Sequence, residues 1–124
     1  HLGDLISASF EDKSFDLINV SHLIEHVPNP KELFAELSRI LKDDGVLTMK
    51  TPNSAALGRK WLATHWFANE VPRHLFLFSE KNLTELGQSV GLKVTQISTS
   101  TTPKMEKTAG KTICRTGLFQ KTRR

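Results

Sequence analysis

The chain has 124 residues, 38% of them apolar and 24% charged, which is one domain's worth of ordinary globular composition. No apolar run reaches the roughly 20 residues of a membrane helix, no secretory signal opens the sequence, and a single cysteine, Cys114, excludes an internal disulfide. These features predict a soluble, cytoplasmic protein. The net charge of +4 is uneven: seven of the seventeen Lys and Arg but only one of the thirteen Asp and Glu lie from Lys104 onward, giving +6 there and −2 in the rest. The basic character belongs to a tail. With only Phe119 among those charges, the tail lacks the aromatics of a base-stacking surface and predicts no nucleic-acid partner.

In chain order, Gly3-Asp4-Leu5 looks like the end of a strand with nothing before it, so a fragment whose upstream part is missing is expected. Residues 1–14 end an element at Gly3-Asp4 and then run through Ser7, Ser9, Glu11, Asp12, Lys13 and Ser14 as a polar connection, which predicts a surface loop or a short frayed helix. Phe15 to Val20 is a short apolar run with β-branched members, a buried strand that turns abruptly polar at Ser21-His22-Leu23-Ile24-Glu25-His26.

Asn29-Pro30-Lys31-Glu32 starts a helix, with Asn as N-cap, Pro at the first helical position and Glu three residues after the cap. Leu33, Phe34, Leu37, Ile40 and Leu41 form one apolar stripe over about 30–42. Asp43-Asp44-Gly45 is expected to end this helix, with Gly45 in the left-handed position, before a second strand over 46–51. The 26 positions from Val20 to Val46 suffice for the crossover helix that two parallel strands need. In open α/β sheets ligands bind at the carboxyl ends of such strands, so Ser21 to His26 and Pro52 to Ser54 should line one crevice.

Ser54 is a candidate cap for a helix carrying Leu57, Trp61 and Leu62. Trp61, Trp66, Phe67, Phe76 and Phe78 make the connection from Ser54 to Phe78 rich in aromatics, as in lids. Ser79 caps a helix over 79–90 that Gly91 ends, and Leu92 to Ile97 is a further strand parallel to the first two. Beyond Pro103 there are weak strand signals at Thr112 to Arg115 and Leu118 to Gln120. The division expected is 1–103 as the domain and 104–124 as a basic tail, either a last strand or disordered.

Three constellations carry chemistry. A carboxylate at Asp4 can accept hydrogen bonds from an amino group or a ribose hydroxyl, although an exposed loop Asp needs no such role. His22-Leu23-Ile24-Glu25-His26 matches the inverted zinc-protease pattern, but the strand before it and Val27-Pro28 after it deny it a helix. No metal site is expected, and Glu25 and His26 are expected to bond nearby backbone. His74, beside Arg73 and the aromatic connection, is the candidate general base.

Taken together, Gly3-Asp4-Leu5, Ser14-Phe15-Asp16-Leu17-Ile18, Glu25-His26-Val27-Pro28-Asn29-Pro30, Arg39 to Leu47, Thr51-Pro52-Asn53 and Pro72-Arg73-His74-Leu75 resemble a class I S-adenosylmethionine-dependent methyltransferase. Within that class the chain is similar to the small-molecule group that includes ubiquinone-biosynthesis O-methyltransferases, over roughly residues 3 to 98. The resemblance implies an α/β, Rossmann-like fold, here truncated, with the first strands and the Gly-rich turn missing, as is the acidic residue that holds the ribose.

The resemblance also implies S-adenosylmethionine as cofactor and a small-molecule methyl acceptor. Asp4 would approach the adenine, Leu5 would flank the ring, and Ser21 and His22 would stand beside the methionine part. Some relatives hold a divalent metal around the position of Glu25 and His26, but His22 replaces a Glu of that set. Two functions are expected in competition: a methyltransferase fragment, inactive when isolated, and a non-catalytic fragment or interaction module that keeps the back half of the fold.

Overall fold

A computed structural model describes residues 3–55, 73–100 and 114–121. Strand β1, Phe15–Ser21, pairs in parallel with strand β2, Leu41–Pro52, in the register Leu17 to Val46, Val20 to Met49 and Ser21 to Lys50. Between them the chain makes a 3₁₀ turn, Ile24–His26, and helix α1, Pro30–Ile40. The side chain of Asn29 accepts from the Glu32 amide at 3.3 Å, and Pro30 occupies the first turn, where its missing N–H costs no helical bond. Leu33, Phe34, Leu37 and Ile40 are the buried stripe.

The end of α1 differs from the expectation. The helix stops at Ile40, Leu41 is already extended (φ −75°, ψ 136°), and β2 begins there rather than at Val46. Leu41 is fully buried and pairs with Phe15 before the register slips by a bulge, so burial of this leucine in the sheet layer ends the helix early. Lys42 Nζ reaches both carboxylate oxygens of Asp16 at 2.8 Å across the irregular stretch. Gly45 is not left-handed. Its need for glycine is one of space, since a Cβ there would lie 2.8 Å from Leu41 Cδ1 and 3.1 Å from the Asp16 carbonyl oxygen.

Helix α2, Glu80–Ser89, is capped by Ser79, which accepts from the Asn82 amide at 3.2 Å. Gly91 ends it at φ +78°, a left-handed conformation open to glycine. Strand β3, Leu92–Ser100, and strand β4, Cys114–Lys121, complete a four-stranded sheet in the order β1-β2-β4-β3. β4 runs antiparallel to both neighbours, so β3 shares the direction of β1 and β2, as expected, but pairs with neither. The weak strand signal at Leu118 to Gln120, and Cys114 and Arg115 of the earlier one, belong to this one strand, which lies inside the sheet; Thr112 and Ile113 fall outside the described residues.

Phe119 of β4 is fully buried and meets Phe34 of α1 edge-on, with centroids 5.5 Å apart. Gly87 and Gly117 make room for it: a Cβ on either would fall 2.7 or 2.8 Å from its ring. Leu47, Met49, Leu83 and Leu92 belong to the same buried cluster. The expected helix after Ser54, with Leu57, Trp61 and Leu62, falls outside the described residues, as do Trp66 and Phe67. Among the described residues no helix is long and apolar enough to cross a membrane.

Candidate functional site

β1 and β2 are parallel neighbours, so Ser21-His22 and Pro52-Asn53 emerge side by side at their carboxyl ends. The His22 amide donates to the Lys50 carbonyl at 2.9 Å, extending the pairing by one residue. His22 itself has φ +51°, a left-handed conformation uncommon outside glycine. Two features open from this corner.

The first is a cavity of about 270 Å³ with mostly apolar walls, among them Leu5, Ile6, Leu23, Val27 and Leu33, with Asp4, Asn29 and Glu32 as polar members. Asp4 does not follow a described strand. It begins a turn in which Ser7 N donates to Asp4 Oδ1 at 2.7 Å and Ser7 Oγ donates to the Asp4 carbonyl at 3.0 Å. The amide of Ser7, helped by its hydroxyl, holds the Asp4 carboxyl below the usual carboxylate value. An ionised carboxylate keeps lone pairs beyond the one Ser7 occupies. Asp4 and Leu5 thus share the cavity, whereas Ser21 and His22 stand at the strand end and Leu23 is the member of that stretch in its described lining.

The second feature is centred on Glu25, which is fully buried. Thr51 Oγ1, at the end of β2, donates to Glu25 Oε2 at 3.0 Å, and His22 Nδ1 lies 3.2 Å from Oε1. The Glu25 carbonyl accepts from the amides of Leu75 at 2.7 Å and Phe76 at 3.3 Å. His26 Nδ1 lies 2.9 Å from the Arg73 carbonyl oxygen, so that nitrogen carries the hydrogen. His74 is therefore bracketed by two anchored residues, Arg73 and Leu75, and its ring sits 4.8 Å from that of His26. Phe78 is buried beside Phe76, with centroids 6.2 Å apart.

His26 bonds backbone as expected, though to a residue 47 positions away. Glu25 differs, because its carboxylate meets side chains and only its carbonyl meets backbone. The pattern in sequence pairs His22 with His26. Among the described residues, three potential metal-ligating atoms, one each on Glu25, His26 and His74, lie within 4.8 Å of one another. Sequence reading missed the Thr51 contact. Its trace is a Thr that ends a strand after buried Leu47 and Met49, on the same face of the pleat.

Comparison with known proteins adds to this geometry. The family described as "Methyltransferase domain" matches residues 3–97. The chain is similar to a sterol 24-C-methyltransferase of Gibberella zeae, 32% identical over 72 residues, 58% of this chain and 16% of that protein. It is similar to a ubiquinone biosynthesis O-methyltransferase of Glaesserella parasuis, 37% identical over 46 residues, 37% of this chain and 20% of that protein. Its fold is similar to that of the 1,6-didemethyltoxoflavin-N1-methyltransferase of Burkholderia thailandensis, solved with S-adenosylhomocysteine. There the TM-score is 0.68 at 17% identity, covering 95% of this chain and 48% of that one. The chain spans a fifth or less of the length of these curated relatives.

Proposed function

We propose, since the chain belongs to the Methyltransferase domain family, that it is the carboxyl-terminal part of a cytoplasmic S-adenosylmethionine-dependent enzyme that methylates a small molecule. The observation that carries this is the cavity beside the strand ends, where Asp4 offers an ionised acceptor against the apolar walls of Leu5, Leu23 and Val27. A flat, amine-bearing base such as adenine needs both. The fold, a Rossmann-like α/β sheet with its helices packed against it, is that of the similar structures.

S-adenosylmethionine, where bound, supplies a methyl group on a positively charged sulfur. In this reading Asp4 and Leu5 hold the adenine, while Ser21 and His22 face the methionine part. The chain's work is then orientation and exclusion of water, with His74 taking the proton of the acceptor. The bracketing of His74 by Arg73 and Leu75 supports its role as base, because a base must be held within hydrogen-bond reach of its proton. The Gly-rich turn and the ribose carboxylate would come from an upstream segment, and residues 1–124 alone would be inactive. No divalent metal is needed, since both Glu25 oxygens already meet protein partners. The relatives methylate carbon, oxygen and nitrogen, so the acceptor atom is left open.

The competing reading, an interaction module without catalysis, draws support from exposed apolar side chains. Leu17, on the edge strand β1, is 63% exposed and Leu75 is 54% exposed. The two are separated by transfer of a labelled methyl group in a chain extended upstream. Transfer is expected there, falling by about 10²- to 10⁴-fold in His74→Ala, the usual contribution of a general base. Transfer that His74→Ala leaves intact would remove His74 as the base, and no transfer at all would favour the interaction module.

A further inference from the structure

Of the buried polar side chains Glu25, Thr51 and Asn53, the first two bond each other and the third is only half satisfied. Asn53 stands just past β2, at the carboxyl end of the strand, and is 5% exposed. Its Oδ1 accepts from the Ala55 amide at 3.0 Å. An amide hydrogen needs an oxygen opposite it, so this bond fixes which way the side-chain amide is turned and makes the remaining atom Nδ2. Among the described residues no group accepts from the two hydrogens of Nδ2. Exposed asparagines leave such hydrogens to bulk water, whereas an unmet donor in a buried place costs free energy and calls for a partner from outside the chain.

The surroundings say what that partner is. Asn53 pairs with Phe78 through a parallel bridge, and the Ser54 amide donates to the Phe78 carbonyl at 3.0 Å. Phe78 closes the segment that carries His74, which is held nearer its start by the Glu25 carbonyl through the amides of Leu75 and Phe76. Four residues of chain reach at most about 14 Å, so the candidate base and the residue flanking Asn53 lie within the span of one small molecule. Nδ2 is an uncharged donor, and the buried charge of the crevice is that of Glu25, which meets Thr51 two positions before Asn53. A carboxylate or phosphate brought here would find no counter-charge, whereas a neutral carbonyl oxygen needs none. We infer that Asn53 is a specificity-determining residue whose Nδ2 takes an uncharged carbonyl oxygen, that of an amide, ketone or ester, on the molecule that occupies the crevice. On the methyltransferase reading above, on which this step rests, that molecule is the methyl acceptor, and it carries a carbonyl group besides the nucleophile that His74 deprotonates.

The site is tested by ¹H–¹⁵N NMR of the side-chain amides in the intact chain, with N-methylacetamide as a neutral carbonyl probe and acetate as its charged counterpart. A probe this small binds weakly, so it is titrated into the molar range and judged by saturation. The Asn53 Nδ2 hydrogens are expected to shift downfield and saturate with N-methylacetamide but not with acetate, while the exposed Asn29 and Asn82 show only an unsaturating drift. Asn53→Asp keeps an oxygen for the Ala55 amide and loses both donors, so the accompanying shift of the Phe78 amide should vanish in it. Asn53 hydrogens that merely follow the drift of Asn29 and Asn82, as they would with an ordered water in place, would overturn the inference. An equal response to acetate, or a Phe78 shift that survives in folded Asn53→Asp, would overturn it as well. Should Asn53→Asp fail to fold, the wild-type titration with its two internal controls decides. Neither cofactor nor methyl transfer enters the titration, so failure here and failure of the methyltransferase reading are separate results.

Discussion

The layer between the sheet and its two helices differs in kind from the crevice at the strand ends. Phe34, Leu47, Met49, Leu83 and Phe119 fill the layer, all fully buried and all apolar. In the crevice the buried groups are Glu25, Thr51 and Asn53, and each has a hydrogen-bonding or ladder partner: Glu25 and Thr51 bond each other, Asn53 accepts from the Ala55 amide at 3.0 Å. Apolar burial is non-directional and tolerates small shifts, whereas a buried carboxylate depends on donors at fixed positions. The difference teaches where to look for each property: global stability in the layer, geometry for chemistry in the crevice.

The largest effect should come from the layer. Phe119→Ala is expected to cost about 3 to 5 kcal/mol in urea unfolding, the range for deleting a buried aromatic ring. A cost below about 1 kcal/mol would mean that β4 contributes little to the core. Next comes Gly87→Ala. In an exposed helix this change gains about 0.5 to 1 kcal/mol, but here the new Cβ would fall 2.7 Å from the Phe119 ring. Overpacking costs about 1 to 3 kcal/mol, so a net loss of roughly 1 kcal/mol is expected, and a gain would show that the ring can give way.

A smaller effect lies at the far side of α1. Arg39 binds the Glu36 carboxylate through Nε at 2.8 Å and Nη2 at 2.6 Å, and it also contacts Asp12 and the Phe10 carbonyl. The Arg39 hydrogen bonds hold the Glu36 carboxyl below its ordinary 4.5. Lys13, bonded at 2.7 Å, similarly lowers the Asp43 carboxyl below 3.8. A carboxyl depressed in the folded state contributes stability that is complete above its unfolded value and is lost as pH falls through the folded one. The urea midpoint should therefore hold steady from neutral pH to about pH 5 and decline below it. Arg39→Met should flatten the part of that decline due to Glu36. An unchanged acid profile would remove the Arg39–Glu36 pair from the explanation.

The smallest expected effect is none. Zn²⁺ or Mg²⁺ should not raise the melting temperature, since specific binding to the folded state always would. A saturable rise that His26→Ala with His74→Ala abolishes would show the crevice to be a metal centre after all.

The layer was also the more legible of the two in the sequence. Asn29-Pro30 and the Leu33 to Ile40 stripe locate α1 because cap chemistry and helical period are local signals. Gly91 marks the end of α2 for the same reason. The early stop of α1 at Ile40 was not legible, because Leu41 fits the helical stripe and the strand alike and only its pairing with Phe15 decides. β4 was faint because Gly117 interrupts it, and that glycine is required by the Phe119 ring rather than by any local rule. In the crevice, Ser21 to His26 and Pro52 to Ser54 could be expected to meet from the parallel strands alone. The burial of Glu25, and its bonds to Thr51, Leu75 and Phe76, join residues 26 to 51 positions apart and leave no periodic trace. The pairing of Asp4 and Leu5 as adenine neighbours came from family resemblance, and the cavity they share was not foreseen, since periodicity says nothing of a turn.

The proposal that Asp4, Leu5, Ser21 and His22 form part of a cofactor site completed by an upstream segment is tested most directly by calorimetric titration with S-adenosylmethionine. Charge-assisted hydrogen bonds contribute roughly 1.5 to 3 kcal/mol each, so lacking the Gly-rich turn and the ribose carboxylate would take micromolar affinity to about millimolar or weaker. Residues 1–124 should show no appreciable binding, and a chain extended upstream should bind, more weakly when it carries Asp4→Ala. Micromolar binding by residues 1–124 alone would contradict the proposal.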